Sequence, residues 1–171
     1  RHALALVAVA GALTASHRVA RAQPVDPRGD WRTIRTPHLQ VHVRRELLPL
    51  GERAAREAER AWAALAAELA PPRGPIDLVV TDNADISQGY ARTFPTNRIV
   101  VFARPPVDEQ ALRFSDDWLR LVVTHELAHL FHLDRSRGPW RDPWWVFGRN
   151  PALFPNQYGP SWLSEGLAVH V

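Results

Sequence analysis

Cysteine, methionine and lysine are absent from this 171-residue chain. Without cysteine there is no disulfide framework and no thiolate-rich metal site, so a bound metal must be held by histidine and carboxylate. Without lysine, all 21 basic residues are arginine, which beside the abundant alanine and proline reads as compositional bias rather than an arginine-built binding surface. Long apolar runs are also scarce, and none reaches the length needed to cross a bilayer. What is present, 46% hydrophobic and 23% charged residues, excludes disordered and collagenous classes and leaves a globular chain long enough to bury a core.

The formal charge of +3 raises the question of an anionic partner, and its placement answers it. Arg1, Arg18 and Arg21 lie in the first 22 residues, where no acid occurs, leaving 18 arginines against 18 acidic residues from 23 to 171. That remainder is neutral, so no nucleic-acid partner is expected. Arg1 and His2 precede the apolar run Ala3 to Ala15, and the segment closes on Ala20-Arg21-Ala22, the small-x-small form of a signal peptidase site. The run makes about 20 Å of helix against about 30 Å of hydrocarbon, too short for a stable span. Residues 1–22 are therefore expected to be an export signal, incomplete at its front since no methionine begins it, and the mature protein to be periplasmic or extracellular without a membrane span.

From Trp31 to Arg44 the chain alternates, with Leu39, Val41 and Val43 on one face and His38, Gln40, His42 and Arg44 on the other, which predicts a half-buried strand. After Pro49 a helical stripe of Leu50, Ala54, Ala58, Trp62, Leu65 and Leu69 runs up to Pro71-Pro72. Ile76–Val80 and Arg98–Ala103 read as short buried strands separated by a polar loop. Ser115 is the expected N-cap of a second helix, with Asp116 and Asp117 in its first turn, ending near Leu133. Between Arg135 and Pro160, prolines alternate with Trp140, Trp144, Trp145, Phe147 and Phe154, predicting an ordered, aromatic-packed loop. A last helix starts near Ser161.

The second helix contains His125-Glu126-Leu127-Ala128-His129, the pattern H-E-x-x-H. Residues four apart share one helix face, so both imidazoles can reach one zinc ion, while Glu126 is placed beside them to take a proton from the attacking water. A catalytic zinc needs a third protein ligand, and Glu165, a lone carboxylate in Trp162-Leu163-Ser164-Glu165-Gly166-Leu167-Ala168, is the choice. A metzincin would need glycine at 132 and histidine at 135, where this chain has His132 and Arg135. His132 lies about 10.5 Å along the helix from His125 and cannot share its ion. His38 and His42, four apart on a strand, are about 13 Å apart and equally excluded as a pair.

The two segments H-E-L-A-H and W-L-S-E-G-L-A resemble the gluzincin zinc metallopeptidases, and more closely the peptidase MA-like domain of exported bacterial proteins. The resemblance covers about residues 124–132 and 161–169, and the strand-helix-strand-strand lead-in fits it. It implies an α+β, zincin-like fold: an N-terminal α/β part with a small mixed sheet over 23–115, followed by an incomplete zinc-binding helical part over 116–171. It implies His125, His129 and Glu165 as Zn²⁺ ligands, Glu126 as general base, a peptide or protein substrate, and a further C-terminal domain. It also implies Arg98–Ala103, with Arg98 and Val100, as the edge that pairs with substrate, the competing reading of this run being an interior strand with no substrate contact. Tyr158 and His170 are the available oxyanion donors. The 36 residues from His129 to Glu165 exceed the family's usual spacing, which makes the proline and aromatic segment an insertion. The rival expectation is an inactive zinc- or peptide-binding module of a larger envelope protein.

Overall fold

The stretch from Trp31 to Arg44 folds as two strands, not one: β1 (Trp31–Arg35) and β2 (Leu39–Arg44) pair antiparallel, with Trp31 opposite Arg44 and Arg35 opposite Gln40. The break falls at Thr36-Pro37-His38, where Pro37 has no N–H to give a ladder. There the Thr36 N–H donates to the Leu39 carbonyl at 3.0 Å, and the Leu39 N–H donates to Thr36 Oγ1 at 3.1 Å. This computed structural model describes residues 28–83, 88–103, 117–136, 138–140 and 143–170. The expected export signal (1–22), Ser115 and Asp116 lie outside the described residues, as do the side chains of Trp145 and His170.

Helix α1 (Leu48–Glu68) carries the chain back so that β3 (Ile76–Thr81) lies parallel to β2, a crossover no tight turn can make. Strands β4 (Gly89–Arg92) and β5 (Asn97–Phe102) complete a five-stranded mixed sheet in the order β1-β2-β3-β5-β4. Strand β5 is parallel to β3 and antiparallel to β4. Leu39, Val41, Val43, Ile76, Leu78, Val80, Ile99 and Val101 form the sheet's contribution to the main core. Against them α1 turns Gly51, Ala54, Ala58, Ala61 and Leu65, mostly small side chains that let the helix lie close. A Cβ on Gly51 would stand 2.7 Å from Val43 Cγ1, so the first turn of α1 approaches β2 as only glycine allows.

Helix α2 (Trp118–Leu133) begins two residues later than expected. Asp117 itself is the cap, accepting from the Arg120 N–H at 3.1 Å, and it pairs with Arg53 of α1 at 2.8 Å. Leu119, Val123, Leu127, Leu130 and Phe131 of α2 are wholly buried. The segment after α2 is ordered in short helical turns at Gly138–Trp140, Trp144–Phe147, Pro151–Leu153 and Pro155–Tyr158. Trp144 meets the buried Phe154 edge-on at 5.8 Å, the aromatic packing expected of this stretch. Helix α3 (Ser161–His170) follows and returns to α2. The architecture is α+β, a mixed sheet with three principal helices, and no helix of the described residues is long and apolar enough to cross a membrane.

Leu78 stands in β3 between β2 and β5 with no exposed surface. Leu78→Ala is expected to cost about 2–5 kcal/mol of unfolding free energy, read from the denaturant midpoint; a loss below about 1 kcal/mol would contradict a core centred on this strand.

Candidate metal centre

One turn of α2 separates His125 from His129, and their rings meet edge to face with centroids 4.6 Å apart. The two Nε2 atoms are 3.1 Å apart. Helix α3 crosses this face and brings Glu165, with Oε2 3.3 Å from His125 Nε2 and Oε1 3.6 Å from His129 Nε2. One donor atom from each residue lies within 4.8 Å of the others. A tetrahedral zinc with ligand distances of 2.0–2.1 Å spaces its donors about 3.3 Å apart, and the observed separations bracket that value. The donor set of two imidazoles and one carboxylate suits zinc in charge and in softness.

These donors line a cleft of about 520 Å³ between α2, α3 and the edge strand β4. Gln88, Gly89, Tyr90 and Ala91 form one wall, and Leu121, Val122, Glu126 and Leu133 the helical wall beside the histidines. Glu126 is 7% exposed. Its burial, and secondly the negative charge of Glu165, push its carboxyl from the ordinary 4.5 up to about 7. Burial, and then the neighbouring His125, lower the His129 imidazole below its usual value, which favours the neutral form that binds metal.

Strand β4 and its glycine went unseen in the sequence. A Cβ at Gly89 would lie 2.8 Å from Glu126 Cγ and 2.9 Å from Val122 Cγ1, so only glycine lets the strand approach the carboxylate this closely. The only available signal was the Gly89-Tyr90 pair itself, too short to show a period.

The structure brings His125, Glu126, His129 and Glu165 into one cleft and leaves the other candidates apart. Arg98–Ala103 is not a substrate edge. β5 hydrogen-bonds to β3 on one side and β4 on the other, so neither of its edges is free for a peptide. Val100 is 1% exposed on the sheet's far face, and Arg98 points to Asp77 at 3.8 Å. Tyr158 is 71% exposed, with its hydroxyl directed to the Pro151 carbonyl at 3.5 Å, outside the cleft. His132 borders a separate depression with Arg135, Trp140, Pro155 and Asn156. His38 is hydrogen-bonded to Glu59 and stacked on Trp62, while His42 contacts Thr33 and Asp77, so both are satisfied structurally.

Comparison of the chain with protein-family models, with curated proteins and with solved structures finds no match. The chemistry of the cleft therefore has to be argued from its own residues.

Between pH 4.5 and about 7 the folded, metal-free chain keeps a proton on Glu126 that the unfolded chain has released. The folded state binds more protons there, so stability falls as pH rises through this window, by on the order of 3 kcal/mol in total. Denaturant midpoints at pH 5 and pH 8 should show this fall in the metal-free wild type and a smaller one in Glu126→Gln. Equal pH dependence in the two proteins would contradict a buried, protonated Glu126.

Proposed function

We propose that this chain is the catalytic module of an exported zinc metallopeptidase of the gluzincin kind, acting on peptides or proteins. The observation that carries the proposal is the convergence of the His125, His129 and Glu165 donors to 3.1–3.6 Å, with Glu126 in the wall of the same cleft. A small mixed sheet, the helix bearing H-E-x-x-H and the helix bearing Glu165 follow one another along the chain, an order that supports the reading.

When bound, zinc supplies Lewis acidity toward water and toward the scissile carbonyl. His125, His129 and Glu165 would hold it, three protein ligands as a catalytic rather than a structural site demands. Glu126 lies in the wall of the same cleft, where its carboxylate would accept a proton from the attacking water and return it to the departing amine. Its low exposure keeps competing water from the proton it handles. Among the described residues no strand pairs with the outer edge of β4, and Gln88–Ala91 line the cleft. An extended peptide adds to that edge by backbone hydrogen bonds, taking the place first assigned to Arg98–Ala103. This directs its carbonyl past the two histidines.

Metal analysis of the purified protein should find about one zinc per chain in both wild type and Glu126→Gln, while peptide hydrolysis is present in the wild type and lost in the variant. Less than a tenth of that zinc would refute the site. A fully active Glu126→Gln would refute the assigned base.

A further inference from the structure

We propose that Arg149 is a positioning residue for the metal centre, the tie that holds α3 where Glu165 meets the two histidines. The inference rests on the zinc reading above for its meaning and on the observed contacts for its mechanism.

Helix α3 packs on α2 but buries few of its own side chains. Among its described side chains only Ala168 is buried, while Trp162 and Val169 are 72% and 78% exposed. Glu165, with a side chain 58% exposed, meets the polar groups of His125 and His129 and of no other side chain among the described residues. A helix with so little buried surface is held by what leads into it. The lead-in is the segment from Pro143 to Tyr158, and Arg149 is its main anchor.

The Arg149 guanidinium reaches three parts of the molecule at once. Its Nε and Nη2 donate to the Thr93 carbonyl, and Nη2 also donates to Asn97 Oδ1 at 2.7 Å, which fixes it to the connection between β4 and β5. Its Nη1 donates to the Arg73 carbonyl at 3.2 Å, the same oxygen that accepts from Asn97 Nδ2 at 2.9 Å. Nη2 also lies 3.4 Å from Oδ1 of Asp134, the residue that ends α2 and whose side chain has no exposed surface. Arg73, a second cation, contacts the same carboxylate and lies 3.7 Å over the Trp144 ring. Two further ties follow before α3 begins. Asn156 Nδ2 donates to the His132 carbonyl at 2.7 Å, and Gln157 donates to Thr93 Oγ1.

One side chain thus ties together the end of α2, the turn behind β4 and the approach to α3, and α2, β4 and α3 border the cleft. A planar cation with five fixed donors can join acceptors on three elements; a lysine ammonium cannot reproduce that fork. The long spacing between His129 and Glu165 is compatible with a metal site because this network removes the freedom of the intervening chain.

The test is a double-mutant cycle on zinc affinity with Arg149→Lys, Glu165→Ala and the pair, titrated with zinc against a competing chelator. Arg149→Lys is expected to weaken zinc by about 10- to 100-fold in the wild-type chain, and by less than about threefold where Glu165 is already alanine. An equal loss in both backgrounds, or none in the wild type, would overturn the positioning role. A second arm needs no metal: in the metal-free chain, Arg149→Lys should speed amide hydrogen exchange across 161–170 while leaving the buried turns of α2 unchanged. Unchanged exchange in α3 would overturn the inference. If the wild type takes up no zinc, the metallopeptidase reading falls, and the exchange arm still decides whether Arg149 places α3. Asn156→Ala cuts a separate tie to α2 and should give the same pattern at smaller size; it carries the test if Arg149→Lys does not fold.

Discussion

Two imidazole nitrogens 3.1 Å apart, each within 3.6 Å of a carboxylate, cannot all present lone pairs to one another. Something positive must sit among them, either protons shared along the contacts or a cation that all three ligate. This requirement organises the molecule, because the three residues come from two helices separated by a long proline and aromatic segment. The sheet provides a rigid floor for α2, and α2 fixes the two histidines. The position of α3 then decides whether a third donor arrives.

The same cleft places a carboxylate of a different kind. Glu165 is largely exposed and faces the histidines, whereas Glu126 is buried beneath Gly89 and has no counter-charge among the described residues. Burial raises the proton affinity of Glu126, which under the proposed function suits it to acid-base work. The close approach of β4 through Gly89 creates the burial of Glu126. The edge strand therefore serves the chemistry twice under the proposed function, once through its free backbone and once through the missing side chain at Gly89.

Much of this was legible in the residues. The helical stripe from Leu50 to Leu69 matches α1, the apolar runs match β3 and β5, and the four-residue spacing of His125 and His129 puts both rings on one face. Other features were hidden for physical reasons. The alternation is clean only from His38 to Arg44, and the residues from Trp31 to Pro37 carry no period of their own, so one strand and a hairpin look alike until the backbone is seen to reverse. The four residues of β4 have too little pattern to show a strand, and their conformation is imposed by pairing with β5. A run buried on both faces, such as Ile99 to Phe102, tells that a strand is interior to a packed structure without telling which strands flank it. Arg149 was invisible because its partners Arg73, Thr93, Asn97 and Asp134 are scattered along the chain, and no local pattern announces a half-buried arginine in a proline-rich loop.

The most direct test of the central claim is an anomalous difference map at the zinc absorption edge, from crystals of the chain grown with zinc. The account requires one peak at about 2.0–2.1 Å from His125 Nε2, His129 Nε2 and a Glu165 carboxylate oxygen, with a further position open toward β4. A peak held by other residues, or no peak among these three at full zinc saturation, would contradict it.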